Sequence, residues 1–402
     1  EDFYSSRFLI DKTIEFIDGN RDDGRPFFAY VPFMAVHIPV QAPQEFIDRY
    51  TGVYREGWSA LRRARRAKAI QMGLIPGGTD MVEMSTTADW HALTPAQQRY
   101  NAKRMAVYAG MVEAMDFHIG RLVASLESTG LIDDTVFIFL SDNGPEASGP
   151  SDQLSLRNRI AVAMQDYSVG YDELGRKGSF NTINPSFASA AAAPLAYYKF
   201  YAGEGGMRVP LIISGTPLSP AQGRSAALSY VTDITPTILE LSATEPPGRH
   251  YGGRPVESMI GRSLVPLIHG RAERLYGEND PIGYELGGNA ALFLGDYKIV
   301  MNRGPVGDNR WRLFNLARDP GETDDISERH PERLQHMRSL YEAYARDNGV
   351  LSVAEDYQQY RQVVLNGLRD RLGIPIVLAL LTLAVVLPFY LFARYRSRTG
   401  GG

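Results

Sequence analysis

The sequence predicts an α/β fold: a central, mostly parallel sheet flanked by helices, with a small antiparallel C-terminal unit. Three observations carry that expectation. An amphipathic stretch from Met105 to Leu126 leads into Thr135-Val136-Phe137-Ile138-Phe139-Leu140, apolar on both faces, as in a strand covered by helices on each side. A second strand-like run, Val209 to Ser214, precedes another helical segment, Val231 to Leu239. After that, short strands separated by turns replace the helix–strand alternation.

Composition fits this class. The chain has 402 residues, room for one large domain and a smaller one. Hydrophobic residues make up 44% and charged residues 22%, which excludes wholesale disorder. With 42 Lys+Arg against 46 Asp+Glu, the net charge of -4 argues against nucleic acid as a partner. There is no cysteine, so disulfides, thiolate metal sites and a cysteine nucleophile are excluded within this chain. Gly 39 and Pro 24 point to a loop-rich architecture.

The first residues, with Phe8-Leu9-Ile10 and Ile14-Glu15-Phe16-Ile17, read as the middle of an amphipathic helix with no leader before Glu1. The expectation is a chain missing its natural beginning. Pro26-Phe27-Phe28-Ala29-Tyr30-Val31-Pro32 reads as a buried strand, followed by an irregular segment holding His37. Leu61 to Ala69 carries five basic side chains on a helix whose charged face is expected in solvent. From Met105, the positions Tyr108, Val112, Met115, Ile119, Leu122 and Leu126 form one helical stripe, with Gly130 placed to stop it.

Residues 145 to about 196 show no periodicity, and a loop of that length is functional or disordered. Asp233 or Thr235 is a plausible cap for the helix near 231–239. Ala291–Leu294, Tyr297–Val300 and Trp311–Phe314 predict short strands, and Pro331 starts a helix through about Asp347. Ile374 to Ala393 is uncharged, and twenty helical residues span about 30 Å, the thickness of a bilayer core. A C-terminal transmembrane helix is therefore expected. Arg394, Arg396 and Arg398 suggest a cytoplasmic end, although Arg361, Arg369 and Arg371 balance them. The expected organisation is a catalytic domain at 1–270 and a C-terminal subdomain at 271–350. A linker at 351–373, a span at 374–393 and a basic tail at 394–402 follow.

Ligands of open α/β sheets gather beyond the carboxyl ends of strands. Asp142 and Asn143 follow the run ending at Leu140 and offer two oxygen donors suited to Ca²⁺ or, less well, Mg²⁺. An Asx turn before Gly144 explains the same residues. His37 follows the first strand-like run, where it could protonate a leaving group, contact an anion, or be merely structural. Lys199 sits among tyrosines before Glu204-Gly205-Gly206, either holding an oxyanion or snorkelling past the rings.

Taken in order, these segments resemble the sulfatase family, in its arylsulfatase branch. The resemblance rests on Pro26-Phe27-Phe28 with His37-Ile38-Pro39, Met105 to Glu113, and Phe139-Leu140-Ser141-Asp142-Asn143-Gly144. It continues in Lys199 with Glu204-Gly205-Gly206-Met207-Arg208-Val209-Pro210, Gly295-Asp296-Tyr297-Lys298, and Asp319-Pro320-Gly321-Glu322-Thr323. It implies an alkaline-phosphatase-like fold and hydrolysis of sulfate esters. Carried over by position, Asp142 and Asn143 would bind Ca²⁺, Lys199 would hold a sulfate oxygen, and His37 would contact the ester near its leaving oxygen.

The family's nucleophile is a formylglycine made from a Cys/Ser-x-Pro-x-Arg motif. That motif and the paired aspartates of the first strand are absent from the sequence. The expectation is that a preceding N-terminal part supplies them, and that this chain alone does not hydrolyse sulfate esters. The expected partners are a small or glycan sulfate ester and the membrane, with the globular part periplasmic or otherwise extracytoplasmic. The alternatives are a phosphoester or phosphonate hydrolase of the same superfamily, or an inactive membrane-tethered binding protein.

Overall fold

The computed structural model describes residues 3–149, 155–218 and 223–399. Helix α1 (Ser5–Gly19) and the short α2 (Gln44–Asp48) both pack on α4 (Pro95–Thr129), while α3 (Gly57–Gln71) packs elsewhere in the same core. The sequence sets both ends of α4. Thr94 and Gln97 form a reciprocal capping box, Pro95 occupies the first turn, and Gly130 ends the helix at φ 74°. The stop falls where expected; the start lies well before Met105.

The face that α4 buries matches the expected stripe only in part. Met105 and Leu126 are buried, Tyr108, Met115, Ile119 and Leu122 are half-buried and Val112 is exposed, while a second buried row runs through Tyr100, Arg104, Val107, Met111, Ala114 and His118. Apolarity alone missed this row because two of its members are cationic types. Arg104 is fully buried, with Nε donating to the Thr182 carbonyl at 2.5 Å and Nη1 to Asn101 Oδ1 at 3.0 Å. A buried charge satisfied in this way replaces an apolar contact.

Three strand and loop expectations change. Residues 27–31 form no strand, and Phe28 and Tyr30 are 74% and 80% exposed. Strand β1 (Phe137–Leu140) pairs with β2 (Leu211–Ser214), but antiparallel, with Phe137 opposite Ser214 and Leu140 opposite Leu211. Among the described residues every strand ladder is antiparallel, so the expected mostly parallel sheet is not formed by them. An uncharged run signals two covered faces but carries no information on strand direction. The segment thought irregular contains α5 (Leu156–Ala163) and α6 (Asn184–Ala192).

Helix α6 is buried nearly all round, which is why its small residues show no polar–apolar period. Phe187 on it meets Trp58 edge-on at 5.4 Å, and Trp58 meets Trp90 at 4.7 Å. The basic face of α3 is mostly solvated as expected, except that Arg62 is buried and donates to the Val82 carbonyl.

Helix α7 (Glu204–Met207) is a single turn just before β2. Before α8 (Ile234–Leu241), Asp233 is fully buried and accepts from the Tyr230 and Arg262 amides at 2.6 and 2.8 Å. It therefore ties two segments together rather than simply capping the helix. The hairpin β3 (His250–Tyr251) and β4 (Arg254–Pro255) and the short α9 (Val265–Ile268) lead to the C-terminal sheet.

That sheet is the expected antiparallel unit with one more strand: β5 (Ile282–Leu286), β6 (Asn289–Leu294), β7 (Tyr297–Met301) and β8 (Arg312–Asn315), paired in sequence order. Helix α10 (Pro331–Asp347) covers one face, burying Met337 against Leu292, Ile299 and Leu313. The other face receives Ala202, buried with Ala291, Phe293, Val300 and Phe314. The sheet is thus packed against the segment bearing Lys199.

Helix α11 (Gln359–Thr399) runs through the expected linker and span. Among the described residues, no helix is long and apolar enough to cross a membrane. The structure therefore lends no support to a transmembrane helix at 374–393; several side chains of that stretch lie outside the described residues.

Candidate functional site

The chain leaves β1 through Ser141-Asp142-Asn143-Gly144, and Gly144 fixes what lies beyond. Its N–H donates to the Gly206 carbonyl at 2.9 Å. A Cβ on Gly144 would stand 1.9 Å from the Gly205 carbonyl oxygen, so only glycine permits this approach. One residue later, the Pro145 carbonyl accepts the Lys199 N–H at 3.0 Å. The end of β1, the Gly205-Gly206 turn and Lys199 thus share one place in the fold, although more than fifty residues of sequence separate Asp142 from Lys199.

Asp142 is exposed at the end of β1. Asn143 donates its amide NH₂ to the Gly144 carbonyl at 2.8 Å, leaving its side-chain oxygen as the atom free to face a cation. The Ser141 hydroxyl donates to the Asn143 carbonyl at 2.9 Å and holds the turn. A carboxylate beside an amide oxygen suits a hard cation in kind, yet Ca²⁺ takes about 6–8 oxygens. Among the described residues there is no group of three or more His, Cys, Asp or Glu able to hold a metal. Asp142 and Asn143 fit Ca²⁺ as part of a ligand set, not as all of it.

Lys199 has a partner that the sequence did not suggest. Its Nζ lies 3.0 Å from Glu146 Oε2, with the two side chains only 16% and 10% exposed. Glu146 also accepts the Ser148 N–H at 2.7 Å, which fixes its carboxylate. The Lys199 ammonium is 5.4 Å from the Phe200 ring centre as well. The backbone on either side is unusual, with Tyr197 at φ 67° and Phe200 at φ 80°, both rare for residues with a Cβ. Such geometry persists only where its surroundings impose it, and it concentrates at functional sites.

His37 stands apart. Its side chain is exposed, and its Nδ1 is 2.7 Å from the Ile38 carbonyl. A carbonyl can only accept, so Nδ1 carries the proton in that contact and Nε2 is the open nitrogen. The loop is anchored by the Val40 N–H to the Asn181 carbonyl at 2.9 Å. No hydrogen bond, ion pair or ring contact among the described residues joins His37 to Asp142, Asn143 or Lys199.

Behind the glycine turn lies a fully buried ion group. Lys298 Nζ sits 2.8 Å from Glu204 Oε1 and 2.9 Å from Glu322 Oε1. Glu322 Oε2 accepts the Glu204 N–H at 2.8 Å. Burial pushes Glu322 up to about 7, against the pull of Lys298 and with the added push of the Glu204 charge. Burial alone would lower the Lys298 pKa, but the two carboxylates outweigh it and hold the ammonium charged. Both Lys298 and Glu322 stand in stretches singled out in the sequence, Gly295-Asp296-Tyr297-Lys298 and Asp319-Pro320-Gly321-Glu322, yet alternation along β7 gives no hint that a lysine there points inward.

The chain belongs to the sulfatase family, whose sequence profile, described as Sulfatase, matches residues 1–243. It is 35% identical over 360 residues to an uncharacterized sulfatase of Schizosaccharomyces pombe, covering 89% of this chain and 64% of that protein. It is also 35% identical over 268 residues to an arylsulfatase of Klebsiella aerogenes, covering 66% of this chain and 56% of that one. The chain therefore spans less than two thirds of the length of either relative. Among solved structures, Ps i-CgsB in complex with k-i-k-neocarrahexaose aligns with a TM-score of 0.54 at 21% identity, over 90% of this chain and 59% of that one. At that identity the likeness concerns the fold.

Proposed function

We propose that the protein hydrolyses sulfate esters of arylsulfatase type, and that this chain supplies the part of the site that grips the anion together with part of the metal shell. The observation that carries this reading is that Gly144 and Pro145, directly after Asp142 and Asn143 at the end of β1, are hydrogen-bonded to the Gly205-Gly206 turn and to Lys199. Family membership supports it.

In this reading Lys199 donates to a sulfate oxygen, with Glu146 holding the ammonium in place before the ester arrives. Asp142 and Asn143 supply oxygens to Ca²⁺, which when bound would neutralise charge on the transferring group. His37, through Nε2, serves the leaving oxygen once the loop is brought to the ester. The nucleophile, a formylglycine, lies outside these 402 residues, none of which is cysteine. The substrate class is a small or glycan sulfate ester.

In the intact protein, Lys199→Ala is expected to lower turnover of 4-nitrophenyl sulfate about 10²–10³-fold, the usual cost of losing one donor to a developing oxyanion. His37→Ala should cost about 10²-fold or more, as for a lost proton donor. Chelation should abolish turnover and Ca²⁺ restore it. Unchanged rates in both variants would reject the assignment. A second reading is hydrolysis of phosphoesters or phosphonates. In its favour is 28% identity to the multifunctional alkaline phosphatase superfamily protein PehA of Trinickia caryophylli, covering 67% of this chain and 42% of that one. Higher kcat/KM on 4-nitrophenyl phosphate or phenylphosphonate than on the sulfate would decide for it.

Attachment to a membrane, with the site outside the cytoplasm, is a proposal resting on the uncharged sequence 374–393 and on exposed Leu381, Leu383, Val385 and Phe389 of α11. Recovery of the intact protein in the high-speed supernatant without detergent would end it.

A further inference from the structure

We propose that the C-terminal sheet acts as a positioning clamp for the anion-binding segment, with Asn289, Lys298 and Asn302 as its positioning residues. The inference rests on the proposed site at Lys199 but concerns how that site is held.

Three ties run from the sheet to residues 200–204. Asn289 Nδ2, at the start of β6, donates to the Phe200 carbonyl at 2.8 Å. Asn302 Oδ1, just past β7, accepts the Ala202 N–H at 2.7 Å. Lys298, the second residue of β7, bridges Glu204 and Glu322. All three side chains are buried, and Ala202 itself is sealed between the ties against Ala291 and Val300. The ties thus fall on residues 200, 202 and 204, alternate positions of one short stretch of chain.

That stretch cannot hold its shape unaided. Phe200 sits at φ 80°, a backbone region that residues with a Cβ rarely adopt. Gly206 approaches so closely that a Cβ on it would stand 2.3 Å from the Tyr201 carbonyl oxygen. The Asn289 bond falls on the carbonyl of the strained residue, and the Lys298 group falls on the residue before the glycines. Each tie therefore opposes relaxation of the turn.

The consequence reaches the other half of the site. The Gly206 carbonyl receives the Gly144 N–H, and Pro145 receives that of Lys199. A shift of the turn relocates Lys199 and the Asn143 end of β1 together. Asn302 and Lys298 touch neither the metal ligands nor the ammonium, so their influence on binding is indirect, running through these contacts and, for Asn302, also through its side-chain hydrogen bond with Tyr197.

The test uses Asn302→Leu, which removes the acceptor, Asn302→Asp, which keeps it, and Lys298→Met/Glu322→Gln, which empties the buried tie without stranding two carboxylates. Amide hydrogen exchange at Gly144 and Lys199 is expected to rise at least tenfold in Asn302→Leu and in the double variant. Asn302→Asp should restore protection, and the middle of α4 should be unaffected. With Ca²⁺ saturating, inorganic sulfate should bind at least tenfold more weakly to the same two variants. Native exchange rates at Gly144 and Lys199 in both would overturn the clamp. The outcome separates from the functional reading: Lys199→Ala with undiminished sulfate binding would sink the anion site, whereas the exchange result judges the clamp in either event. If Lys199→Ala abolishes sulfate binding while Asn302→Leu leaves it native, the clamp is refuted.

Discussion

Lys298→Met is expected to destabilise the chain by about 3–5 kcal/mol, a large share of the roughly 5–15 kcal/mol that holds a folded chain together. The size follows from what remains behind. Glu204 and Glu322 are both buried, and without the ammonium Glu204 loses its close counter-charge while facing a second carboxyl group that burial already pushes toward its protonated form. Adding Glu322→Gln should recover at least half of the loss, because Glu204 then stands alone with Arg208 at 4.0 Å. A single variant as stable as the native chain in urea unfolding, or a double variant no better than the single, would show that the ion group is not what holds this region.

The same group sets a pH dependence with a definite sign. Glu322 titrates near 7 in the folded chain, above the ordinary 4.5 of a glutamate. Between those values the folded state binds more protons than the unfolded state, so its stability falls as pH rises through the window. The contribution is fully present below about 4.5 and is lost as pH rises through about 7. Relative to Glu322→Gln, the native chain should therefore lose stability between pH 5 and 7.5. A constant difference would contradict it.

How much of this was legible depended on the kind of signal. The antiparallel C-terminal sheet and α10 were readable because turns such as Gly295-Asp296 and the proline at 331 mark boundaries locally. The end of α4 at Gly130 was equally local. Strand direction was not, since Phe137 to Leu140 is equally apolar whichever way its partner runs. Helix α6 escaped because burial on all sides erases the period that periodicity reading needs. Asn143 and Lys199 were singled out from the sequence, and backbone hydrogen bonds at Gly144 and Pro145 bring their segments side by side. Glu146, Asn289, Asn302 and the inward Lys298 were not, because a polar residue in sequence reads as solvent-facing until a tertiary partner reveals otherwise. His37 was singled out on position alone, and no contact in the fold ties it to the cluster.

Gly144→Ala should be among the damaging small substitutions, and the one that bears most directly on the site. The added methyl would lie 1.9 Å from the Gly205 carbonyl oxygen and 3.1 Å from the Gly206 Cα, and both are backbone atoms that no rotamer change can move. Either the end of β1 swings away, or the turn at 204–206 retreats toward the buried ion group. The first breaks the Gly144–Gly206 hydrogen bond, and the second disturbs the Lys298 contacts. Overpacking of this kind costs about 1–3 kcal/mol and sometimes more. Sulfate binding should fall further than stability does, since both routes part Asn143 from Lys199. Gly120→Ala is the contrasting case. It sits on the exposed face of α4 with nothing within 4 Å of the new atom, and it should stabilise by about 0.4–1 kcal/mol by restricting the unfolded chain. If Gly144→Ala melted with the native chain and bound sulfate as tightly, the close approach on which the site depends would not exist in solution.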